Sequence, residues 1–153
     1  MRKRTLLISL LTLMVCSFAP AHATLREGLR KQKEVDIWFH YEDNSFELKA
    51  VRRKVSATAP ARAAIQALLA GPTPDEEKLG FGGLANPKDL VIGTLSVRRG
   101  TARVNFVVPP SWIGWPGDIA PARFKEAVKR TLQQFPNVKR VIVSVNGDAN
   151  FEL

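Results

Sequence analysis

The spacing of apolar residues changes along this chain between a period of two and a period of 3.6, which limits the folds it can adopt. Alternating or β-branched runs at 35–41, 46–55, 90–97, 101–108 and 138–145 predict strands. Helical spacing at 60–70 and 122–135 predicts two main helices. Because two strands precede each helix, strict βαβ alternation is absent. We therefore predict an α+β domain, with a mixed, mostly antiparallel sheet of about four to five strands and the two main helices packed on one face.

The second half of the chain carries the clearest element signals. Residues 90–97 and 101–108 are separated by a short basic turn, in which Gly100 can take the positive φ that hairpins need. The predicted helix at 122–135 has one apolar stripe, formed by Phe124, Ala127, Val128, Thr131, Leu132 and Phe135. After the last strand, Asn146-Gly147 predicts a turn, and residues 149–153 could add a short terminal strand.

Residues 1–23 have the three parts of a secretory signal peptide. MRKR is a basic start, TLLISLLTLMVCSF is an apolar core, and Ala21-His22-Ala23 predicts cleavage after Ala23. An uncleaved membrane anchor is the alternative, although the apolar run is shorter than the about 20 residues of a full span. A lipoprotein signal around Cys16 is disfavoured by the bulky Val15. We expect an exported chain, periplasmic or otherwise extracytoplasmic, with a basic linker at 24–34 and one domain at 35–153.

Removal of this segment limits the chemistry that the rest of the chain can perform. The single cysteine, Cys16, and one of the two histidines leave with it, so His40 is the remaining histidine. A lone histidine needs a partner and a nucleophile to act as a base, and the serines do not lie in a Gly-x-Ser-x-Gly elbow. The acidic residues do not have calcium-loop spacing. We expect no catalytic residues, metal or cofactor; a hydrolase is kept only as a further alternative.

The formal net charge of +9 falls to +6 once the three basic residues of the signal peptide are removed. Outside the cytoplasm, a cationic domain would meet anionic lipid headgroups, wall polymers or an acidic protein rather than nucleic acid. The alternative interpretation is that the charge only keeps the chain soluble.

The stretch LLAGPTPDEEKLG at 68–80 places three carboxylates after two prolines and a glycine. It could be an acidic catalytic loop or the boundary between two helices. Gly71 suits a helix C-terminus, and Pro72 prevents continuation. Thr73, Pro74 and Glu76 then fit the N-cap, first turn and capping box of a second, short helix. Carboxylates at a helix N-terminus are stabilised as anions, which is unfavourable for a general acid. The capping interpretation is therefore preferred.

The chain contains the runs ALLAGPTPDEE, VRRGTARVNF and TLQQFPNVKRVIVSVNG, and VDIWF and the Arg52-Arg53 strand precede them in order. Together, over about residues 35–148, these runs resemble the GerMN domain of bacterial sporulation and germination proteins. It implies a non-catalytic exported domain, similar to ring-building motifs, that packs against copies of itself or partner proteins in the envelope. The chain departs from the family in having one copy, no convincing lipoprotein signal and a doubly basic hairpin turn.

Two sets of residues are candidates for binding. Trp112 and Trp115 lie in the proline-rich loop 109–121 and could contact a partner protein or stack on sugars, although packing onto the domain is the preferred role for at least one of them. The second set is basic, and its main candidates are Arg52, Arg53, Arg98 and Arg99. Further basic residues on the predicted strands and turns are Lys54, Arg103, Lys139 and Arg140. These cations could form one patch for an anionic surface, or they could be solvated strand edges that prevent aggregation.

The sequence therefore favours an envelope domain that binds proteins, including its own copies, or envelope polymers. The main alternative is a cationic wall- or carbohydrate-binding module that uses the Trp112–Trp115 loop.

Overall fold

The computed structural model describes residues 31–42, 47–83 and 89–151. The elements, in chain order, are β1 (Gln32–Tyr41), β2 (Leu48–Ser56), α1 (Pro60–Leu69), α2 (Pro74–Lys78), β3 (Phe81–Gly82), β4 (Val91–Arg98), β5 (Thr101–Val107), α3 (Ala120–Gln133) and β6 (Arg140–Val145). The predicted signal peptide and residues 24–30 of the predicted linker lie outside the described residues. Because β1 begins at Gln32, residues 32–34 belong to this strand and not to the linker. In the described ranges, no helix is both long and apolar enough to cross a membrane.

The first sheet has the order β2-β1-β3, and β1 is antiparallel to both neighbours. β1 and β2 form the predicted hairpin, whose closing residues 43–46 lie outside the described chain. Because side chains alternate along a strand, Val35, Ile37 and Phe39 point to one face, where all three are buried. This face covers the helices.

The second sheet has the order β4-β5-β6, in which β5 and β6 are parallel. The predicted hairpin between β4 and β5 is confirmed. Arg99 and Gly100 have φ values of 49° and 78°, so both have the positive φ that a type I′ turn requires. The predicted terminal strand does not form over the described residues 149–151; just before them, Asp148 makes an isolated bridge with Val145.

The two main helices and both sheets enclose one hydrophobic core. α1 packs on β1 and β2, α3 packs on β1 and β6, and the two helices contact each other. The predicted stripe of α3 is buried, and Phe124 meets Phe106 of β5 edge to face with the ring centroids 4.8 Å apart. Edge-to-face contacts of this kind add to the stabilisation that burial provides.

The predicted α+β class is confirmed, but the strands are divided between two sheets of three rather than collected in one sheet. β3 pairs only with His40 and Tyr41 at the second edge of β1, and side chains from the end of α3 occupy that edge at Asp36 and Trp38. Gln134 accepts a hydrogen bond from the Asp36 backbone N–H at 2.8 Å and donates one to the Asp36 carbonyl at 2.7 Å. Thr131 Oγ1 accepts from the Trp38 N–H at 3.3 Å. These bonds satisfy backbone groups that another strand would otherwise pair.

Residues 73–78 form the predicted cap and short helix. The Thr73 side chain accepts a hydrogen bond from the Glu76 N–H, and the Glu76 carboxylate accepts one from the Thr73 N–H at 2.7 Å. This reciprocal pair is a capping box, with Pro74 in the first turn. The acidic stretch therefore serves the structure.

Candidate functional site

The second sheet has one buried face and one face turned to solvent. Its inward residues, such as Val104, Phe106 and Val143, are almost fully buried. Because side chains alternate, the neighbouring residues point outward, and all of them are exposed or half-buried. We call this surface the open face; its residues are Val91, Thr94, Ser96, Arg98, Thr101, Arg103, Asn105, Val107, Arg140, Ile142 and Ser144. None of them is acidic.

Strand register arranges the open face in rows across the three strands. Arg98 and Arg140 flank Thr101 in one row, and Arg103 lies one row farther along β5. Strands are about 4.8 Å apart and successive rows about 7 Å apart, so the backbone positions of these three arginines lie within about 10 Å of one another. At the opposite end, Val91 and Val107 form an exposed apolar pair.

Two further cations extend the basic row. Arg99 is in the hairpin turn, and the Lys139 N–H donates to the Gly100 carbonyl at 2.7 Å, which fixes the start of β6 beside that turn. We call this part of the open face and its turn the basic end, formed by Arg98, Arg99, Arg103, Lys139 and Arg140. Among the described residues, no carboxylate forms an ion pair with any of the five. Five of the predicted basic residues therefore come together.

The basic residues of β2 lie apart from the basic end, on the edge of the first sheet. Arg52 is on the outer face, where its Nε lies 3.3 Å from the Asp36 carboxylate and 71% of the side chain is exposed. Lys54 is also exposed on this face. The predicted basic residues therefore form two separate groups and not one patch.

Arg53 points inward and is used by the fold. Its guanidinium donates to the Ala67 carbonyl at 3.2 Å, to the Gly71 carbonyl at 3.0 Å and to the Glu76 carboxylate, and it lies over the Phe39 ring. Burial opposes ionisation of Glu76, but the hydrogen bonds from Arg53 and Thr73 and the charge of Arg53 together lower its pKa below the ordinary value. Because these contacts join β2 to the end of α1 and to α2, Arg53 is structural and not part of an exposed binding surface.

The two tryptophans of the proline-rich loop pack onto the domain. Trp115 stacks on Phe151 and lies tilted against Phe124, with ring centroids 5.9 Å and 5.1 Å away. Trp112 meets Trp115 edge to face at 5.2 Å. Between them, Ile113 is 95% exposed. Trp115 thus has the predicted packing role, and the most exposed large apolar side chain of the loop is Ile113, which the sequence patterns did not single out.

His40 is buried near the end of β1. Its side chain is 8% exposed, and its two ring nitrogens have no hydrogen-bond partner in the described structure. Burial, followed by the nearby positive charge of Arg123, lowers the pKa of His40, so the ring is neutral in the folded protein at neutral pH. Within the described ranges, no group of three or more His, Cys, Asp or Glu residues is placed to hold a metal.

A shallow depression of about 370 Å³ lies in the middle of the open face, next to the basic end. Its lining includes Thr94, Arg103, Asn105, Ile142 and Ser144, from three strands, and Gly147. Sequence reasoning missed this feature because uncharged polar residues on separate strands have no common pattern. The one available signal was Gly93, since a glycine inside a strand often marks a bulge.

A model of the family described as "Germane: Sporulation and spore germination" matches residues 37–150. The chain belongs to the Germane family. The predicted resemblance to GerMN domains is thereby confirmed, and the matched region of this Germane chain contains both sheets from Ile37 onward and all three helices.

Solved structures agree with this assignment. The tandem GerMN domains of the sporulation protein GerM from Bacillus subtilis are similar with a TM-score of 0.55 and 17% identity over 78% of this chain, which spans 41% of that protein. The first GerMN domain of the same protein gives 0.50 and 19% identity, covering 76% of this chain and 84% of that one. At these identities the likeness concerns the fold of the Germane domain. A search of curated proteins found no match.

Proposed function

We propose that this Germane chain is an exported envelope domain that acts by binding through its open face, in sporulation, germination or envelope assembly, rather than by catalysis. The observation that carries the proposal is the open face itself. It is three strands wide, is exposed on its outer side, and has no acidic side chain. A surface with cations at one end and an exposed valine pair at the other resembles a contact surface more than a site for chemistry.

Two further observations support the exported binding role. The N-terminal sequence has the pattern of a cleaved signal peptide. The family to which the chain belongs is described by sporulation and spore germination. The partner that we propose is a component of the envelope, either a protein, which includes a second copy of this chain, or a polymer.

The carbohydrate-binding alternative depended on the loop tryptophans. Because Trp115 packs against Phe124 and Phe151, its ring is engaged by the domain's own aromatic residues. The structure adds no observation that favours sugar binding by this loop, so we do not carry that function forward. A Trp112→Ala variant in the experiment below tests it directly.

The test of export is the mass of the chain recovered from the envelope fraction of its parent organism. We expect a chain that begins at Thr24, because the predicted cut follows Ala23. An uncleaved chain found only in the cytoplasm would refute the exported role.

The test of the binding surface is retention of an envelope component by the purified chain. Val107→Glu and Ile142→Glu place new charges on the open face, whereas Gln66→Glu and Gln133→Glu place the same charge on exposed helix positions. We expect the retained component to be lost with the first pair only. Equal retention by all four variants, or loss caused by Trp112→Ala alone, would refute the open face as the binding surface.

A further inference from the structure

The depression on the open face is built by an irregularity in β4. The register between β4 and β5 shifts between Ile92 and Thr94, which identifies a β-bulge at Gly93. A Cβ atom at Gly93 would lie 2.8 Å from Val107 Cγ2 and 3.3 Å from the Asn105 carbonyl, so the close approach of these neighbours favours glycine at the bulge. Beyond the bulge, Thr94 lies opposite Asn105 and next to the row of Arg103. Such bulges re-aim side chains, and this one places the Thr94 hydroxyl at the depression.

The polar groups of the depression are oriented as donors. Asn105 Oδ1 accepts from the Gly147 backbone N–H at 2.8 Å and from Ser144 Oγ at 2.9 Å. Because a backbone N–H can only donate, the oxygen of Asn105 must face Gly147, and its Nδ2 lies on the Gly93 side. Nδ2, the Thr94 hydroxyl and the Arg103 guanidinium can therefore donate to a bound group.

The surroundings of these donors are positive. Arg98 and Arg140 lie in the next row, and β4, β5 and β6 contain no Asp or Glu. Asp148 is the acidic residue closest in sequence to the lining; it lies between Gly147 and Ala149, and its carboxylate accepts a hydrogen bond from the Asn150 N–H at 2.8 Å. The depression thus combines converging donors with Arg103, and Arg98 and Arg140 follow about 7 Å farther along the strands. Among the described residues none of these three arginines is in an ion pair, and such a set of donors and cations is the chemistry that binds oxyanions.

We propose that the depression and the basic end together bind the phosphate groups of a linear, phosphate-bearing polymer. One phosphate group would occupy the depression, held by Arg103, Thr94 and Asn105, and the following groups would lie along Arg98 and Arg140. This inference rests on the proposed binding role of the open face and names its ligand.

The arrangement favours a phosphate polymer over an acidic protein. A planar carboxylate is satisfied by one guanidinium fork, whereas a phosphate has more oxygens and can use the additional donors of Thr94 and Asn105. A protein interface has an apolar centre, but Ile142 is the apolar side chain among the lining residues that belong to the open face. The open face has no aromatic residue, so it lacks the platforms on which nucleic-acid bases or sugar rings stack.

The experiment titrates the purified full-length mature chain with inorganic polyphosphate and, separately, with poly-glutamate of similar length, by calorimetry at 50 and 200 mM salt. We expect polyphosphate to bind, to weaken by more than about tenfold at the higher salt, and to be displaced by inorganic phosphate. Poly-glutamate should bind at least about tenfold more weakly. Equal binding of the two polymers would overturn the phosphate assignment in favour of an acidic protein, and absence of polyphosphate binding at 50 mM salt would overturn the inference altogether.

Two variants with a matched control locate the site. Arg103→Gln should weaken polyphosphate binding about tenfold, and Thr94→Val, which keeps the shape and removes the hydroxyl, should weaken it about threefold. Arg52→Gln removes one exposed arginine from the first sheet and should change binding by less than about twofold. Equal losses for Arg103→Gln and Arg52→Gln would show that only net charge matters and would overturn the site.

Backbone amide chemical shifts provide a readout that does not depend on a variant. On addition of polyphosphate, the amide signals of Thr94, Asn105 and Ser144 should move more than those of β2, and unchanged signals at these positions would overturn the inference. Failure here is distinguishable from failure of the proposed function. If the chain retains an envelope protein through the open face but does not bind polyphosphate, the proposed function stands and the phosphate ligand is wrong. If the chain binds polyphosphate but is not exported, the phosphate ligand stands and the proposed function is wrong.

Discussion

Arg52 and Arg53 are neighbours in sequence with the same side chain, yet they have opposite environments, so replacing each by methionine is a controlled test of the fold. The Arg53 side chain is 18% exposed and its partner Glu76 is 17% exposed, whereas Arg52 is 71% exposed and Asp36 36%. Methionine keeps an apolar stem over the core and removes only the guanidinium. The comparison therefore isolates the charge and its hydrogen bonds.

The two variants should lose different amounts of unfolding free energy, because the two guanidinium groups differ in their hydrogen bonds and ion pairs. Removing one partner of a buried ion pair costs about 3–5 kcal/mol, because the other charge is left uncompensated. Since this pair is partly open to solvent, and since Arg53 also loses bonds to two carbonyls, we expect about 3 kcal/mol for Arg53→Met. An exposed pair contributes about 0–1 kcal/mol, so Arg52→Met should cost less than about 1 kcal/mol.

Urea denaturation followed by far-ultraviolet circular dichroism measures both values. With a slope of about 1.5 kcal/mol per molar urea, the midpoint should fall by about 2 M for Arg53→Met and by less than about 0.7 M for Arg52→Met. A double-mutant cycle with Glu76→Gln should show a coupling energy above about 1 kcal/mol. Equal losses for the two arginines, or a cycle without coupling, would refute the argument that Arg53 joins β2 to α1 and α2.

Three further predictions concern stability. Thr73→Ala removes the capping box and should lower the free energy of unfolding in urea by about 1 kcal/mol, whereas Thr73→Ser keeps a capping hydroxyl and should leave it nearly unchanged. Equal losses of stability in the alanine and serine variants would contradict the capping role. Because burial lowers the pKa of His40, the unfolded chain binds the proton first, so stability should fall as pH drops below about 6.5. Glu76, whose pKa is also lowered, adds a second loss below about pH 4.3. Urea midpoints measured between pH 8 and pH 3 follow both losses of stability. A His40→Gln variant that still lost stability below about pH 6.5 would contradict the assignment of that loss to His40. Trp115→Ala should cost about 3 kcal/mol, and Trp112→Ala about half as much, because Trp115 also packs on other aromatic rings; a reversed order in thermal unfolding would contradict the loop packing.

Local patterns predicted the elements well because their causes are local. The apolar stripe that includes Phe124 and Leu132 is the buried side of α3, and the positive φ expected at Gly100 is present in the hairpin turn. The Thr73–Glu76 capping box is also local, since its two partners are three residues apart. Each of these features depends on side-chain periods or on neighbouring backbone groups, which a sequence displays directly.

Contacts between distant segments could not be predicted in the same way. Gln134 satisfies the edge of β1 at Asp36, which is far away in sequence, and its hydrogen bonds occupy backbone groups that another strand would otherwise pair. Ser144 joins Thr94 and Arg103 only because β6 returns beside β5 after the crossover through α3. Single polar residues on separate strands carry no periodic signal.

The sequence by itself therefore determined the α+β class, the order and approximate limits of the elements, the short capped helix and the family to which the chain is similar. These properties depend on local propensity, on apolar period and on runs of matching residues. Only the tertiary structure decided which of two adjacent arginines faces the core, because strand alternation turns Arg53 toward α1 and leaves Arg52 in solvent. It also decided which cations come together, since strand register brings Arg98, Arg103 and Arg140 onto one face and leaves Arg52 and Lys54 on another sheet.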